Sequence, residues 1–226
     1  MKRFTLIELL VCLSILGILG SFILPVLTEA KDKTRASICV NNLNNIARAN
    51  VMYSDDSDGF FVPTLIGAKS WSSNDLFRQM IRWDENLSDG FMAQSSACNQ
   101  VLREVKSSSD NTIYKSSEKS VNSNYSYAPV YTANNNSLGF EGVKLDWIKS
   151  PASLAHMGEV ENDPEMMNGG DLSKFAVRHL DKTNMSFFDG HVEFFTSERL
   201  QQAWNTNQMP FADSDGSKLT DIVDNN

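Results

Sequence analysis

The run from Phe4 to Leu24 constrains this chain more than any other feature. Its 21 residues hold a single charge, Glu8, between Lys2 and Arg3 on one side and Pro25 on the other. As a helix rising ~1.5 Å per residue it covers roughly 31 Å, the thickness of a bilayer's hydrocarbon core. No other stretch of the 226 residues approaches this hydrophobicity. A cleaved secretory signal has a shorter apolar run of ~7–15 residues, followed by small residues at the cut. Here Pro25 to Ala30 continues as helix-compatible sequence. The expectation is a single-pass anchor in the inner (cytoplasmic) membrane, with everything else on one side. Lys2 and Arg3 keep the N-terminus cytoplasmic, which sends the C-terminal head to the periplasm or the exterior.

A plain anchor does not account for Glu8. A charged side chain near the centre of a membrane helix costs about 2.5–3.5 kcal/mol on the lenient insertion scale, so it marks a functional position by default. Glu8 lies near the cytoplasmic end, where the cost falls. A positive partner at the same depth offsets most of the remainder.

Phe4-Thr5-Leu6-Ile7-Glu8 and the apolar helix after it closely resemble the N-terminus of type IV prepilins and type II secretion pseudopilins. The resemblance implies a peptidase that cuts between Arg3 and Phe4 and methylates the new amino group of Phe4. It also implies that Glu8 pairs with the N-terminal amine of a neighbouring subunit during filament assembly. Gly17 and Pro25 match positions where pilin helices loosen or bend, in keeping with their helix-weakening chemistry. The implied partners are the prepilin peptidase/methyltransferase, other pilin-like subunits and their assembly machinery, and the membrane.

The chain departs from the family at one position. The family's cleavage site has Gly before the Phe, and this chain has Arg3. Either the peptidase accepts Arg3-Phe4, or the leader stays on.

Residues 32–226 hold 17 of the 20 basic side chains and 26 of the 28 acidic ones, a net of −9. Such a surface argues against nucleic acid, which needs basic side chains to neutralise phosphate, and against a polybasic lipid-binding face. Cys12 falls within the apolar helix and Cys39 and Cys98 in the exported part, where disulfides persist. Cys39 and Cys98 are either one bridge or two thiols; sequence supplies no distance to decide.

Beyond Pro25 the spacing predicts a helix that continues to residue 54. Ala36, Cys39, Leu43, Ile46, Asn50 and Tyr53 recur at intervals of three and four, an apolar stripe interrupted by one Asn. Asp55-Asp56-Ser57-Asp58-Gly59 ends it with turn chemistry. The acidic cluster lacks the Glu an EF-hand needs at its twelfth position, where Ile66 stands, so it reads as a solvated turn. The segment from Asn41 to Pro63 also resembles a bacterial pseudopilin-like group that carries a C-terminal H-X9-DG motif.

Asp75 to Trp83 reads as a short amphipathic helix with Leu76, Phe77, Met80 and Trp83 inward, and Ala97 to Val105 as another. The Ser/Asn/Lys-rich run from Lys106 to Asn124 reads as a loop or insertion. Tyr125 to Tyr131 reads as an edge strand, because Pro129 cannot donate to a second neighbour. Ser153 to Glu159 reads as a strand. Residues 184–195 read as a hairpin with Asp189-Gly190 as a two-residue type I′ turn, followed by a capped helix from Ser197 to Trp204.

His179, nine residues, then Asp189-Gly190 matches the H-X9-DG signature of the prepilin-type processing-associated domain. His156, His179, His191, Asp189 and Glu193 raise a zinc-enzyme alternative, but their spacing does not support it. No phosphate loop, nucleophile elbow or Cys-x-x-Cys pair occurs. The expectation is a non-enzymatic subunit without cofactor or metal, of α+β, pilin-like fold. Its parts are a leader (1–3), a transmembrane helix (4–24), an exported continuation (25–54), a head with a small antiparallel sheet (55–204) and a polar tail (205–226). The alternative is an anchored binding domain that never polymerises.

Overall fold

The computed structural model describes residues 5–63, 65–66, 69–83, 87–101, 120–123, 126–129, 143–161 and 175–205. Arg3 and Phe4 at the expected processing site, most of the Lys106–Asn124 run and the tail beyond 205 lie outside these residues.

One helix, α1, runs from Leu6 to Asp56. Its 51 residues correspond to roughly 76 Å. It starts at a capping box: Thr5 Oγ1 accepts the Glu8 N–H at 3.4 Å, and Glu8 Oε2 accepts the Thr5 N–H at 2.8 Å. Helical backbone runs through both Gly17 and Pro25. The hydroxyls of Ser14, Ser21 and Thr28 bond back to the carbonyls of Val11, Ile18 and Leu24, so none asks for a partner outside the helix. The helix stops at a turn in which Asp58 and Gly59 take positive φ (51° and 83°), as the Asp/Gly chemistry anticipates.

The two halves of α1 live in different surroundings. From Leu6 to Leu27 the large apolar side chains are exposed, and among the described residues nothing buries the most apolar stretch. From Cys39 onward, Leu43, Ile46, Ala47, Ala49, Asn50 and Ser54 are buried, with Ala36 and Tyr53 at the margin. The expected stripe is therefore the face that packs on the head, the Asn included.

Among the described residues the head holds three antiparallel sheets. Strands β1 (Leu65–Ile66) and β2 (Lys69–Ser70) form a minimal ladder, and β3 (Phe91–Ala93) pairs with β4 (Ser120–Asn122). The β4 residues fall in the run expected to be loop, where alternation is too short to register. The main sheet has the order β5 (Tyr127–Pro129), β6 (Ala155–Glu159), β7 (Lys182–Phe187), β8 (Val192–Thr196). Pro129 lies on its edge, opposite Met157, as its missing N–H requires.

Helix α1 lies against β6, β7 and β8 on one face of this sheet. Its core there joins Leu43, Ile46 and Ala49 to Met157, Tyr127, Met92 and the ring trio Trp71, Phe77 and Trp83. On the other face, Leu200 of α3 (Ser197–Asn205) packs with Met185, Phe187 and Phe195. A register shift in β6 between Ala155 and Met157 lets the two residues serve opposite cores.

Three local expectations change. Helix α2 spans Asp75–Ile81 and buries Phe77, but its second inward residue is Arg78, while Leu76 is exposed. The helix expected from Ala97 to Val105 begins at residue 99 and is helical through 101, and residues 102–105 lie outside those described. The Asp189-Gly190 hairpin has a three-residue loop rather than two. Ser186 pairs with Val192, the Phe187 N–H bonds the His191 carbonyl, and the Gly190 N–H bonds the Phe187 carbonyl. Only Gly190 has positive φ (89°), whereas a type I′ turn demands it at both central residues.

Candidate functional site

Two places in the molecule concentrate chemistry. The first is the start of α1. Among the apolar exposed turns, Glu8 is the one ionisable side chain before Glu29, other than the thiol of Cys12. Its Oε2 accepts both the N–H (2.8 Å) and the hydroxyl (2.7 Å) of Thr5. Thr5-x-x-Glu8 is a readable capping signature, and Thr5 is the residue the sequence reading passed over.

The second place is buried where α1 meets the head. Cys39 is the first fully buried residue met along α1 from its N-terminus. Its Sγ lies 2.6 Å from Sγ of Cys98, longer than the ~2.05 Å of a disulfide bond, and both residues are thiols in this structure. The Asn99 N–H donates to Cys39 Sγ at 3.1 Å, and the Cys98 N–H to Ser126 Oγ at 2.8 Å. Tyr127, fully buried, donates its hydroxyl to the Cys39 carbonyl at 3.0 Å.

His179 and Glu159 complete the cluster. His179 Nε2 is 3.2 Å from Cys98 Sγ and 2.9 Å from Glu159 Oε1. The second Glu159 oxygen accepts the Asn184 N–H at 3.1 Å. Glu159 ends β6, and its alternation with Met157 aims it at α1 rather than at solvent.

The loop that presents His179 is strained. Leu180 and Asp181 both take positive φ (53° and 62°), and the His179 N–H bonds the Lys182 carbonyl at 3.1 Å. Left-handed backbone costs a non-glycine residue about 1–2 kcal/mol, so the surroundings hold this turn in place.

The cluster is electrostatically coupled. The hydrogen bond from Cys98, then the one from His179, holds the Cys39 thiol below the ordinary range, while burial pushes Cys98 well above it. Burial opposes a charge on His179, but hydrogen bonds to the Cys39 side chain and Glu159, together with their charges, raise it to about 10.

Cys39 and Cys98 are brought together, and His179 of the H-X9-DG signature joins them. The signature's other end does not. Asp189 Oδ1 accepts from the His191 N–H at 3.1 Å and meets His191 Nδ1 at 2.6 Å, and the Asp189-Gly190 turn faces Val51 of α1. The other side chains of the zinc-enzyme alternative do not converge on His179. His156 is buried between Phe61 and Phe188, His191 stacks on Phe187, and Glu193 pairs with Arg199. Glu159 was not anticipated, since nothing in a five-residue strand distinguishes a buried carboxylate from an exposed one.

Compared with known proteins, the chain matches no family model, no curated protein and no solved structure.

Proposed function

We propose that this chain is a pilin-like structural subunit, anchored in a membrane by the first half of α1 and assembling with its own kind or with related chains. The observation that carries the reading is the division of α1. Among the described residues, an apolar half with its large side chains exposed continues directly into a half buried in the head. A helix apolar on all sides needs lipid or other helices around it, and the same surface serves both before and after assembly. Glu8 then supplies the register, because a carboxylate in an apolar bundle favours the one alignment that brings a positive group to it. On this reading Phe4, once exposed by cleavage after Arg3, carries that positive group on a neighbouring subunit.

The second reading, an anchored head that never polymerises, rests on the Thr5–Glu8 capping box. Glu8 already has two donors within its own helix and does not require a neighbour.

Intact mass and N-terminal sequencing of the protein from native membranes, with cross-linking of wild type and Glu8→Ala, separate the two. Assembly predicts loss of Met1-Lys2-Arg3, a methylated Phe4, and multimers that disappear in Glu8→Ala while the chain still fractionates with membranes. Multimers that survive Glu8→Ala would remove Glu8 from assembly. A retained Met1 with no multimers would leave the anchored monomer.

A further inference from the structure

We infer that Cys39, Cys98, Glu159 and His179 form a structural zinc site that fastens α1 to the head. The four side chains come from four separate stretches, yet their donor atoms all lie within 4.8 Å of one another. Two sulfurs, one imidazole nitrogen and one carboxylate oxygen are a donor set that Zn²⁺ takes in tetrahedral geometry. With bonds of ~2.3 Å to sulfur and ~2.0–2.2 Å to nitrogen and oxygen, such a tetrahedron has edges of about 3.3–3.8 Å. The His179–Glu159 and His179–Cys98 separations of 2.9 and 3.2 Å are close to that already. The two sulfurs must part by about 1.2 Å from their 2.6 Å, within reach of side-chain rotation.

Burial sets the type of site. All four residues are buried, so a tetrahedral ion would have no open position for water or substrate, the mark of a structural centre rather than a catalytic one. Groups behind the donors are already in place. The Asn99 N–H points at Cys39 Sγ, and the Asn184 N–H holds the Glu159 oxygen turned away from His179. Two thiolates, one carboxylate and Zn²⁺ sum to one negative charge. Arg178, next to His179, is tied to the Val160 carbonyl beside Glu159 at 2.9 Å and offsets it.

A Cys39–Cys98 disulfide is the competing occupant of the same space. It would use the sulfurs and leave Glu159 and His179 as a buried pair held by each other and by the Asn184 N–H, whose desolvation their mutual attraction has to offset. The carboxylate and the imidazole are what favour the metal.

The test uses the full-length chain, lysed under inert gas and purified in detergent without chelator or reductant. Its readouts are zinc per chain by mass spectrometry of the metal and thiols titrated in denaturant with chelator. The site predicts one zinc per chain and three reactive thiols, Cys12 included. No zinc, with only Cys12 reactive until reductant is added, would overturn it in favour of the disulfide. Three thiols with no zinc, and no uptake when Zn²⁺ alone is offered, would overturn it as well. Glu159→Gln and His179→Asn keep both sulfurs and should weaken zinc binding by about tenfold or more. A disulfide would be indifferent to either change. If these variants do not fold, Co²⁺ exchange into the wild type decides: a thiolate-to-cobalt charge-transfer band is expected, and its absence overturns the site.

Discussion

Asn50 Oδ1 accepts the Val62 N–H at 3.3 Å, across a turn of twelve residues, with both residues fully buried. The same side chain donates to the Ile46 carbonyl at 3.2 Å and approaches Met157 Sδ at 3.6 Å. The one polar residue in the packing stripe of α1 thus fixes how the chain leaves the helix and doubles back along it.

Asn50→Leu completes the apolar stripe but takes the acceptor away from a buried N–H. The expected loss is about 1–3 kcal/mol, read as a lowered midpoint in urea unfolding of the detergent-solubilised chain. An unchanged midpoint would mean that packing alone sets the turn's position.

Arg78 is buried within α2 and donates to the carbonyls of Ser72 (2.6 Å), Leu87 (2.7 Å) and Ser88 (2.9 Å). Its planar fork gathers three carbonyls that a point charge on a flexible stem cannot reach together. Arg78→Met should destabilise the chain by about 3 kcal/mol, and Arg78→Lys should recover less than half of that. Equal stability of the lysine and arginine forms would reduce the role of Arg78 to its charge.

His156, between Phe61 and Phe188 at centroid distances of 5.0 and 4.6 Å, has its pKa lowered to about 3 by burial. Its folded value lies below the unfolded one near 6.5, so its contribution is fully present above that pH and is lost as pH falls toward 3. The slope in that window is about 1.4 kcal/mol per pH unit. His156→Phe should flatten the stability profile between pH 6.5 and 4 relative to wild type. Parallel profiles would show that His156 takes up its proton as readily in the folded state as in the unfolded one.

Leu180, exposed and at φ 53°, gains nothing from packing to offset its backbone. Asn tolerates the left-handed region better, so Leu180→Asn should stabilise the chain by about 0.5–1 kcal/mol. A rise in melting temperature checks it. A fall would mean the leucine side chain makes a contact that matters.

The long-range plan was legible because α1 repeats its signal many times over. A 21-residue run with one charge, then four turns with one buried face, leave little room for another reading. Pro129 on the sheet edge was legible for a similar reason, since its missing N–H permits few positions. Short-range detail was not. Whether Asp189-Gly190 is a two- or three-residue loop depends on φ at Asp189, which its side chain does not fix. Arg78 inside a helix core looks in sequence like any solvated arginine. The cluster around Cys39 was half legible: Cys39 and Cys98 were the one candidate pair in the exported part, with no distance to decide between bridge and thiols, and Glu159 and His179 reach them only because the sheet's register, bulge included, carries them there.

The place where α1 becomes buried determines how the head bears load. Tension applied at the N-terminus travels along an uninterrupted helix and enters the head at Cys39. From there to Ser54, about 24 Å of helix packs against the head, including strands β6, β7 and β8. Force directed along a helix axis loads such an interface in shear, so all its contacts resist at once rather than peeling away one by one. The tether and the fold are in series, and the head is attached to the stronger direction.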